Sequence, residues 1–125
     1  MVVGVSDPAS RMFFPHADSG LAVATSDLKT TKADLRVLLA HRPATAYEAL
    51  NYGFDLQLSG HTHGGQFFPW NYVINLVQPF AGGLHRLENM WIYSSRGTGF
   101  WGPPMRLGSS AEITMITLTA ASKEE

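Results

Sequence analysis

The chain has 125 residues, which suits one small domain, since domains commonly run to about 100–200 residues. Nine Lys and Arg residues stand against ten Asp and Glu residues, so the charge gives no sign of a nucleic-acid-binding surface. The lack of cysteine excludes disulfides, thiolate metal sites and a cysteine nucleophile. The sequence also lacks a signal-peptide pattern and any apolar run near the ~18 residues of a membrane span.

Apolar runs alternate with short helical patterns along the chain, which predicts an α/β fold. Residues 2–5 predict a short strand that ends at the turn formed by Asp7 and Pro8. A weak helical pattern follows over residues 21–28. Residues 35–40 predict a strand with both faces covered, as in the middle of a parallel sheet, because the residues from Val37 to Ala40 are consecutively apolar.

The alternation continues through the second half of the chain. Thr45 and Glu48 have capping-box spacing, which predicts a helix that ends at Gly53. The further predicted elements are, in chain order, a strand over 55–59, a helix over 70–77, a strand over 91–94, a loop rich in glycine and proline over 97–104, and a strand over 112–118.

Three of the five histidines follow predicted strands at their carboxyl ends. His41 comes directly after the strand over 35–40, and His61 and His63 come after the strand over 55–59. Because ligands of open α/β sheets collect at the carboxyl ends of the strands, we expect these three imidazoles to share one crevice. Imidazole binds divalent Zn, Mn, Fe, Ni or Co, so the pattern predicts a metal site with an open, catalytic side.

Glycines bracket the histidine pair at Gly60, Gly64 and Gly65, where they permit turns that bring both side chains close to an ion. By itself, a His-x-His pair is equally typical of two alternating residues of a strand. The glycines and the third histidine after a second strand favour the metal site.

The run Gly60-His-Thr-His-Gly-Gly-Gln66 resembles the calcineurin-like metallophosphoesterases, in particular their bacterial and transmembrane-anchored branch. The similarity covers nearly the whole chain from Asp34 onward. The other matching segments are Leu38-Leu-Ala-His-Arg-Pro43, Val77-Gln-Pro-Phe80, Gly83-Leu-His-Arg86, Tyr93-Ser-Ser-Arg-Gly-Thr-Gly99 and Trp101-Gly-Pro-Pro104.

The resemblance implies a four-layer αββα sandwich and a hydrolase of phosphomonoesters or phosphodiesters. In this family, two divalent ions bridged by a hydroxide hold the phosphoryl group, and the hydroxide attacks phosphorus. The resemblance assigns His41 and His61 to one ion and His63 to the other. Mn, Fe or Zn are the expected metals, and the substrate class is a phosphoester.

The family's other metal ligands belong to Asp-x-His, Gly-Asp and Gly-Asn-His motifs, and none of these motifs occurs in this sequence. Asp7 comes nearest to the first motif, but Ala9 stands where the histidine is required. We therefore expect residues 1–125 to be the C-terminal half of such a domain, with the N-terminal metal-binding half absent. The chain would be a fragment, a truncated gene product or a domain whose first half is encoded separately. A membrane anchor, where present, would lie upstream, so the location stays open: cytoplasmic, or membrane-associated if such an anchor exists.

Several further residues have two interpretations. Arg96 lies in a glycine-rich loop after a strand, where its planar guanidinium either binds the substrate phosphate or anchors the loop. His16 and Arg42 are expected at the surface, and His85 is expected in a structural role. Thr62 and Gln66 are expected to orient the histidine loop, and the stripe of Trp70, Val73, Ile74 and Val77 is more typical of core than of a membrane-interface contact.

Two functions of different classes fit the histidine cluster. The first is a metal-dependent phosphoesterase, to whose site this chain contributes a part. The second is a non-catalytic metal-binding half-domain, or an inactive fragment. The motif favours the first for the parent protein, and the missing carboxylates favour the second for this polypeptide alone.

Overall fold

Five strands form one mixed sheet in the computed structural model, which describes residues 1–13, 20–26, 28 and 31–120. The strands are β1 (Val2–Val5), β2 (Val37–Ala40), β3 (Leu56–Ser59), β4 (Gly83–Leu87) and β5 (Met90–Ser94). The α-helices are α1 (Leu21–Ala24), α2 (Ala46–Ala49) and α3 (Trp70–Val77). Short 3-10 turns lie at Pro8–Met12, Pro43–Thr45, Leu50–Tyr52 and His63–Gly65. The predicted α/β class is confirmed.

The strand order is β1-β2-β3-β5-β4, and only β4 runs antiparallel to its neighbour among the described strands. The four parallel strands therefore end at one edge of the sheet. The residues that follow them, including Asp7, His41, His61 and Arg96, are brought to that edge by topology alone. The described residues form a single sheet, so the four-layer sandwich stays a prediction.

One face of the sheet is covered by helices. Val3, Leu38, Gln57 and Ile92 lie side by side across the strands on this face, and all four are buried. Leu38 and Ile92 belong to a core cluster to which the helices contribute Leu21, Ala46 and Ala49. Burial of each large aliphatic side chain contributes about 1.5–3 kcal/mol, so this layer holds the sheet together.

The opposite face is largely open. Leu39 of β2 is 44% exposed and Leu84 of β4 is 60% exposed, while Val2 at the β1 edge is 64% exposed. The predicted cover of both faces of the strand over 35–40 is found at Val37, which is 7% exposed on this face, but not at Leu39. The apolar run of β2 is suited to a second layer that the described elements do not provide.

The helix after β2 is confirmed, but its predicted cap is wrong. The helical segment begins earlier, at Pro43, so Thr45 has helical backbone angles and its side chain makes no capping hydrogen bond. Proline favours the first position of a helix because its fixed φ suits the turn and it has no N–H to satisfy. Gly53 ends the segment in the left-handed conformation with φ 68°, as predicted.

Helix α3 covers the predicted bounds of 70–77. Only part of its apolar stripe is core, because Ile74 is 6% exposed whereas Val77 is 55% exposed. None of the helices in the described ranges is long and apolar enough to cross a membrane.

The last predicted strand, over 112–118, is not formed. Ile113 and Met115 alternate with threonines as a strand requires, but each is 90% exposed. A strand needs a neighbour for its backbone hydrogen bonds, and no described strand lies beside this segment. Conversely, β4 was not predicted. Its hairpin with β5 turns through Glu88 at φ 52°, a conformation usually signalled by glycine.

Candidate metal centre

The sheet edge brings His41 and His61 into contact. His41 directly follows β2, and His61 follows β3 by two residues. The Nε2 atom of His41 lies 3.2 Å from the Nδ1 atom of His61, with the ring centroids 5.0 Å apart. The structure thus places two of the three predicted ligands together, at the end of two neighbouring parallel strands.

Asp7 joins the two histidines from the end of β1. Its Oδ2 atom lies 3.7 Å from His41 Nε2, and one ligand atom from each of Asp7, His41 and His61 lies within 4.8 Å of the others. Nitrogen and carboxylate ligands sit about 2.0–2.2 Å from an ion such as Zn²⁺, so neighbouring ligand atoms are about 3.0–3.6 Å apart. The residues present therefore fit a single divalent ion with little adjustment.

Two donors hold the Asp7 carboxylate. The Ala9 backbone N–H donates to Oδ1 at 2.7 Å, and Arg42 Nε donates to the same oxygen at 3.1 Å. Burial of Asp7 acts to raise its pKa, but the bonds from Ala9 and Arg42 outweigh this and keep the pKa below the ordinary value. Arg42, expected at the surface, has a side chain that is 41% exposed, and it forms an ion pair with Asp7.

His63 lines the same cavity as His41 and His61, a space of about 450 Å³, but makes different contacts. Its Nδ1 atom lies 3.2 Å from Nη2 of Arg106, which also donates to the carbonyls of Arg96 and Gly97. Burial and the Arg106 charge lower the pKa of His63; burial and the His41 charge lower that of His61. Both imidazoles are thereby kept neutral, which a metal ligand requires.

The histidine loop has an unusual backbone. His61 and His63 have φ values of 70° and 51°, in the left-handed region that favours glycine. Each such residue costs of order 1–3 kcal/mol and is found mostly at functional sites. Gly65 has no alternative here, because a Cβ atom there would lie 2.4 Å from Cα of Asn71.

Thr62 and Gln66 fix this loop to the rest of the fold. The Thr62 hydroxyl donates to the carbonyl of Ala81. Gln66 is fully buried; its amide donates to the Trp101 carbonyl at 2.8 Å and accepts from the Trp101 N–H at 2.7 Å. These contacts agree with the predicted role of both residues in orienting the loop.

Arg96 is engaged by a carboxylate. Its Nε atom donates to Glu112 at 2.7 Å, and its side chain passes over Gly64, where a Cβ atom would lie 2.7 Å from Arg96 Cγ. The hydroxyl of Tyr93 donates to Glu112 as well, and these bonds lower the Glu112 pKa to about 2. Arg96 borders a second cavity of about 350 Å³. Its contact with substrate stays a prediction.

His85 makes contacts outside this group. His85 Nε2 is 2.8 Å from the Gly82 carbonyl and its ring packs on Phe80, in line with a structural role. The expectation for His16 lies outside the described residues.

Sequence reasoning missed two residues of the site. Asp7 was interpreted as a turn residue and rejected as part of an Asp-x-His motif because residue 9 is Ala; its place directly after a strand, like that of the histidines, was the available signal. Arg106 lies 43 residues from His63 in the chain and carries no local pattern that would have indicated the contact.

Relatives of this chain share one description. It is 46% identical over 99 residues to an uncharacterised metallophosphoesterase of Campylobacter jejuni, covering 78% of this chain and 26% of the relative. It is 39% identical over 123 residues to a transmembrane protein with metallophosphoesterase domain of Danio rerio, covering 96% and 28%. The protein of that name from Bos taurus is 50% identical over 88 residues, covering 68% and 20%. No protein-family model and no solved structure matches the chain.

The fold and the sheet-edge group define an α/β protein with a candidate metal centre. The relatives identify its family: the chain belongs to the metallophosphoesterase superfamily, whose members are hydrolases. It spans about a quarter of the length of these curated relatives.

Proposed function

We propose that the protein to which this chain contributes hydrolyses phosphoesters, with divalent metal ions held in part by His41, His61 and His63. The observation that carries the proposal is the 3.2 Å approach of His41 Nε2 to His61 Nδ1 at the edge where the parallel strands end. Family membership supports the choice of phosphoester as substrate.

The finer proposal is a site for two ions, of Mn, Fe or Zn. His41 and His61 would hold the first, and His63 the second; their spacing supports this, since the close group contains His41 and His61 but not His63. Bound divalent ions polarise phosphoryl oxygens and activate water for attack on phosphorus. The chain's own residues supply neutral imidazoles and, through Thr62 and Gln66, a loop held in place.

Arg96 is proposed to contact the phosphoryl group. Its side chain passes directly over Gly64, the residue after His63. A guanidinium has five N–H donors, so the bond from Nε to Glu112 leaves the planar fork compatible with a phosphate contact. Glu112 would then orient Arg96 rather than compete with the substrate.

We further propose that residues 1–125 form the C-terminal half of a four-layer αββα domain. The open sheet face, with Leu39 and Leu84 exposed, supports a second sheet stacked upon it. That sheet and the remaining metal ligands would come from an N-terminal half, in the same or a separate chain. The names of the Danio rerio and Bos taurus relatives support a membrane anchor elsewhere in the longer protein.

The alternative for this chain alone is a non-catalytic metal-binding half-domain. Among the described residues, Asp7 is the only carboxylate in the group with His41 and His61. One carboxylate is a poor basis for two dications, since close metal pairs need bridging anionic ligands to offset their repulsion.

The test is hydrolysis of bis(nitrophenyl) phosphate with added Mn²⁺ by the longer protein or by the two halves co-expressed. His61→Ala should reduce turnover by more than about 100-fold, because loss of even an outer-shell partner costs about 10–100-fold. His85→Gln, a change remote from the site, should retain activity. Unaltered turnover in His61→Ala would refute the site. No turnover by the longer wild-type protein, with metal bound, would establish the alternative.

A further inference from the structure

The carboxylate at the end of β1 occupies the same topological position as the two histidines. Strands β1, β2 and β3 are consecutive and parallel, with Val5 beside Ala40 in register. Asp7 follows β1 as His41 and His61 follow β2 and β3. Each of three adjacent parallel strands is thus followed by one potential ligand at the same edge of the sheet.

We propose that Asp7 binds a divalent metal ion together with His41 and His61, so that this chain by itself holds one ion. The proposal rests on the metal-binding role of the two histidines, but not on hydrolytic activity. It adds a carboxylate to the ligands that the family resemblance assigns in this chain, which are His41, His61 and His63.

The distances support a common ion. His41 Nε2 lies 3.2 Å from His61 Nδ1 and 3.7 Å from Asp7 Oδ2. Ligand atoms on one ion are about 3.0–3.6 Å apart, as the metal–ligand lengths require. A small inward movement of Asp7 therefore brings all three into one coordination sphere, without rearrangement of the strands.

The chemistry of the donor set is also suitable. Two imidazoles and one carboxylate form the protein part of catalytic zinc sites and of non-haem iron sites, where they leave positions open. His41 and His61 line the cavity of about 450 Å³, so the open positions would face that space. The carboxylate offsets part of the charge of the ion, which imidazoles alone cannot do.

Asp7 has the outer support that metal-binding carboxylates generally have. Its Oδ1 atom accepts from the Ala9 N–H at 2.7 Å and from Arg42 Nε at 3.1 Å. These bonds fix the carboxylate, and its Oδ2 atom accepts from Arg42 Nε at 3.3 Å while lying 3.7 Å from His41 Nε2.

The experiment measures binding of Zn²⁺ and Co²⁺ to the chelator-treated 125-residue chain by calorimetry, with Co²⁺ absorption reporting the ligand field. Wild type should bind one ion. Asp7→Asn should weaken binding at least about 100-fold, beyond the about 10–100-fold of an outer-shell loss. Asparagine can still cap the turn at Ala9, so circular dichroism of the metal-free variant should match wild type. His85→Gln, at a residue that contacts Gly82 and Phe80 instead of this group, is the control and should retain one ion.

Arg42→Met separates a ligand from a positioning residue. If Asp7 acts only through Arg42, the two variants should weaken binding equally, and this result would overturn the proposal. If Asp7 is a ligand, Arg42→Met should have the smaller effect and leave the Co²⁺ spectrum unchanged. Unaltered affinity in Asp7→Asn, or no ion bound by wild type, would also overturn it. A failure of the proposed hydrolysis function would not overturn this proposal, because metal binding is measured without turnover.

Discussion

The two faces of the sheet are made of similar residues but differ in their surroundings. Leu38 and Leu39 are neighbours in β2, yet Leu38 is fully buried and Leu39 is 44% exposed. The covered face packs on α1 and α2, whereas the open face presents Val2, Leu39 and Leu84 to solvent. Soluble domains seldom leave such an apolar sheet surface uncovered. The difference supports the proposal that a second layer packs on the open face.

The contrast between the two faces also bears on what holds the proposed metal ligands in place. Gln57, on the covered face, donates to the carbonyls of Arg42 and Pro43, directly after His41. The covered layer thus fixes the strand ends and the loops that follow them. On the open face, Tyr93 is held by its bond to Glu112, and Arg86 lies over the ring of Trp91.

The largest predicted effect tests this contrast within one strand. Leu38→Ala should lower the free energy of unfolding by about 2–5 kcal/mol, because it leaves a cavity in the covered core. Leu39→Ala should cost less than about 1 kcal/mol in this chain, because much of the side chain is already in water. Denaturant unfolding of the two variants provides the comparison.

The same pair of variants also tests the missing layer. In the longer protein, or with the other half added, Leu39→Ala should become as costly as Leu38→Ala. A small cost for Leu39→Ala in that context would mean that no second layer covers the face. Equal costs in the isolated chain would mean that the face is already covered there, and the contrast between the faces would be lost.

Local patterns were sufficient for the parts of the fold that depend on local physics. The helices near Pro43 and Trp70 and the strand ends at His41 and His61 follow from periodicity and from proline and glycine positions. The residues that complete the site depend on contacts across the chain. Asp7 lies beside His41 only because β1 pairs with β2, and no spacing rule relates the two.

Two failed predictions, the strand over 112–118 and the cover of both faces of β2, have one physical cause. A sequence pattern does not identify the segment that pairs or packs with it. The alternation over 112–118 is a strand pattern, but no described strand pairs with this segment. The apolar run of β2 predicts cover on two faces, but Leu39 is left exposed on one of them. Residues 112–118 and strand β2 are therefore both suited to neighbours outside the described structure.

An intermediate effect is predicted at Glu112, whose carboxylate accepts hydrogen bonds from Tyr93 and Arg96. Glu112→Gln should lower the unfolding free energy by about 1–3 kcal/mol at pH 7, because a charged hydrogen-bond partner of Tyr93 and Arg96 is lost. Glu48→Gln, at the exposed side of α2, removes the same charge and should cost less than about 0.5 kcal/mol.

This effect should depend on pH in one direction. The hydrogen bond from Tyr93, with that from Arg96, lowers the Glu112 pKa from 4.5 to about 2. Below pH 4.5 the unfolded chain therefore takes up the proton first, so the stabilisation is complete above that value and is lost as the pH falls towards 2. Unfolding of wild type and Glu112→Gln from pH 7 to 2.5 should converge. A constant difference would contradict the ion pair.

The smallest predicted effect concerns Leu84, at the β4 edge of the open face. Leu84→Thr keeps a residue that favours strands and removes apolar surface that is 60% exposed, so the unfolding free energy should change by less than about 0.5 kcal/mol. The change should appear instead in self-association, because an uncovered apolar edge strand is prone to pair with other copies. Sedimentation at increasing concentration should therefore show less association for Leu84→Thr than for wild type. The surface change Tyr47→Thr on α2, 55% exposed but away from the sheet face, should leave association unaltered. Equal association of all three proteins would show that the open face does not attract a second layer, even though it is apolar.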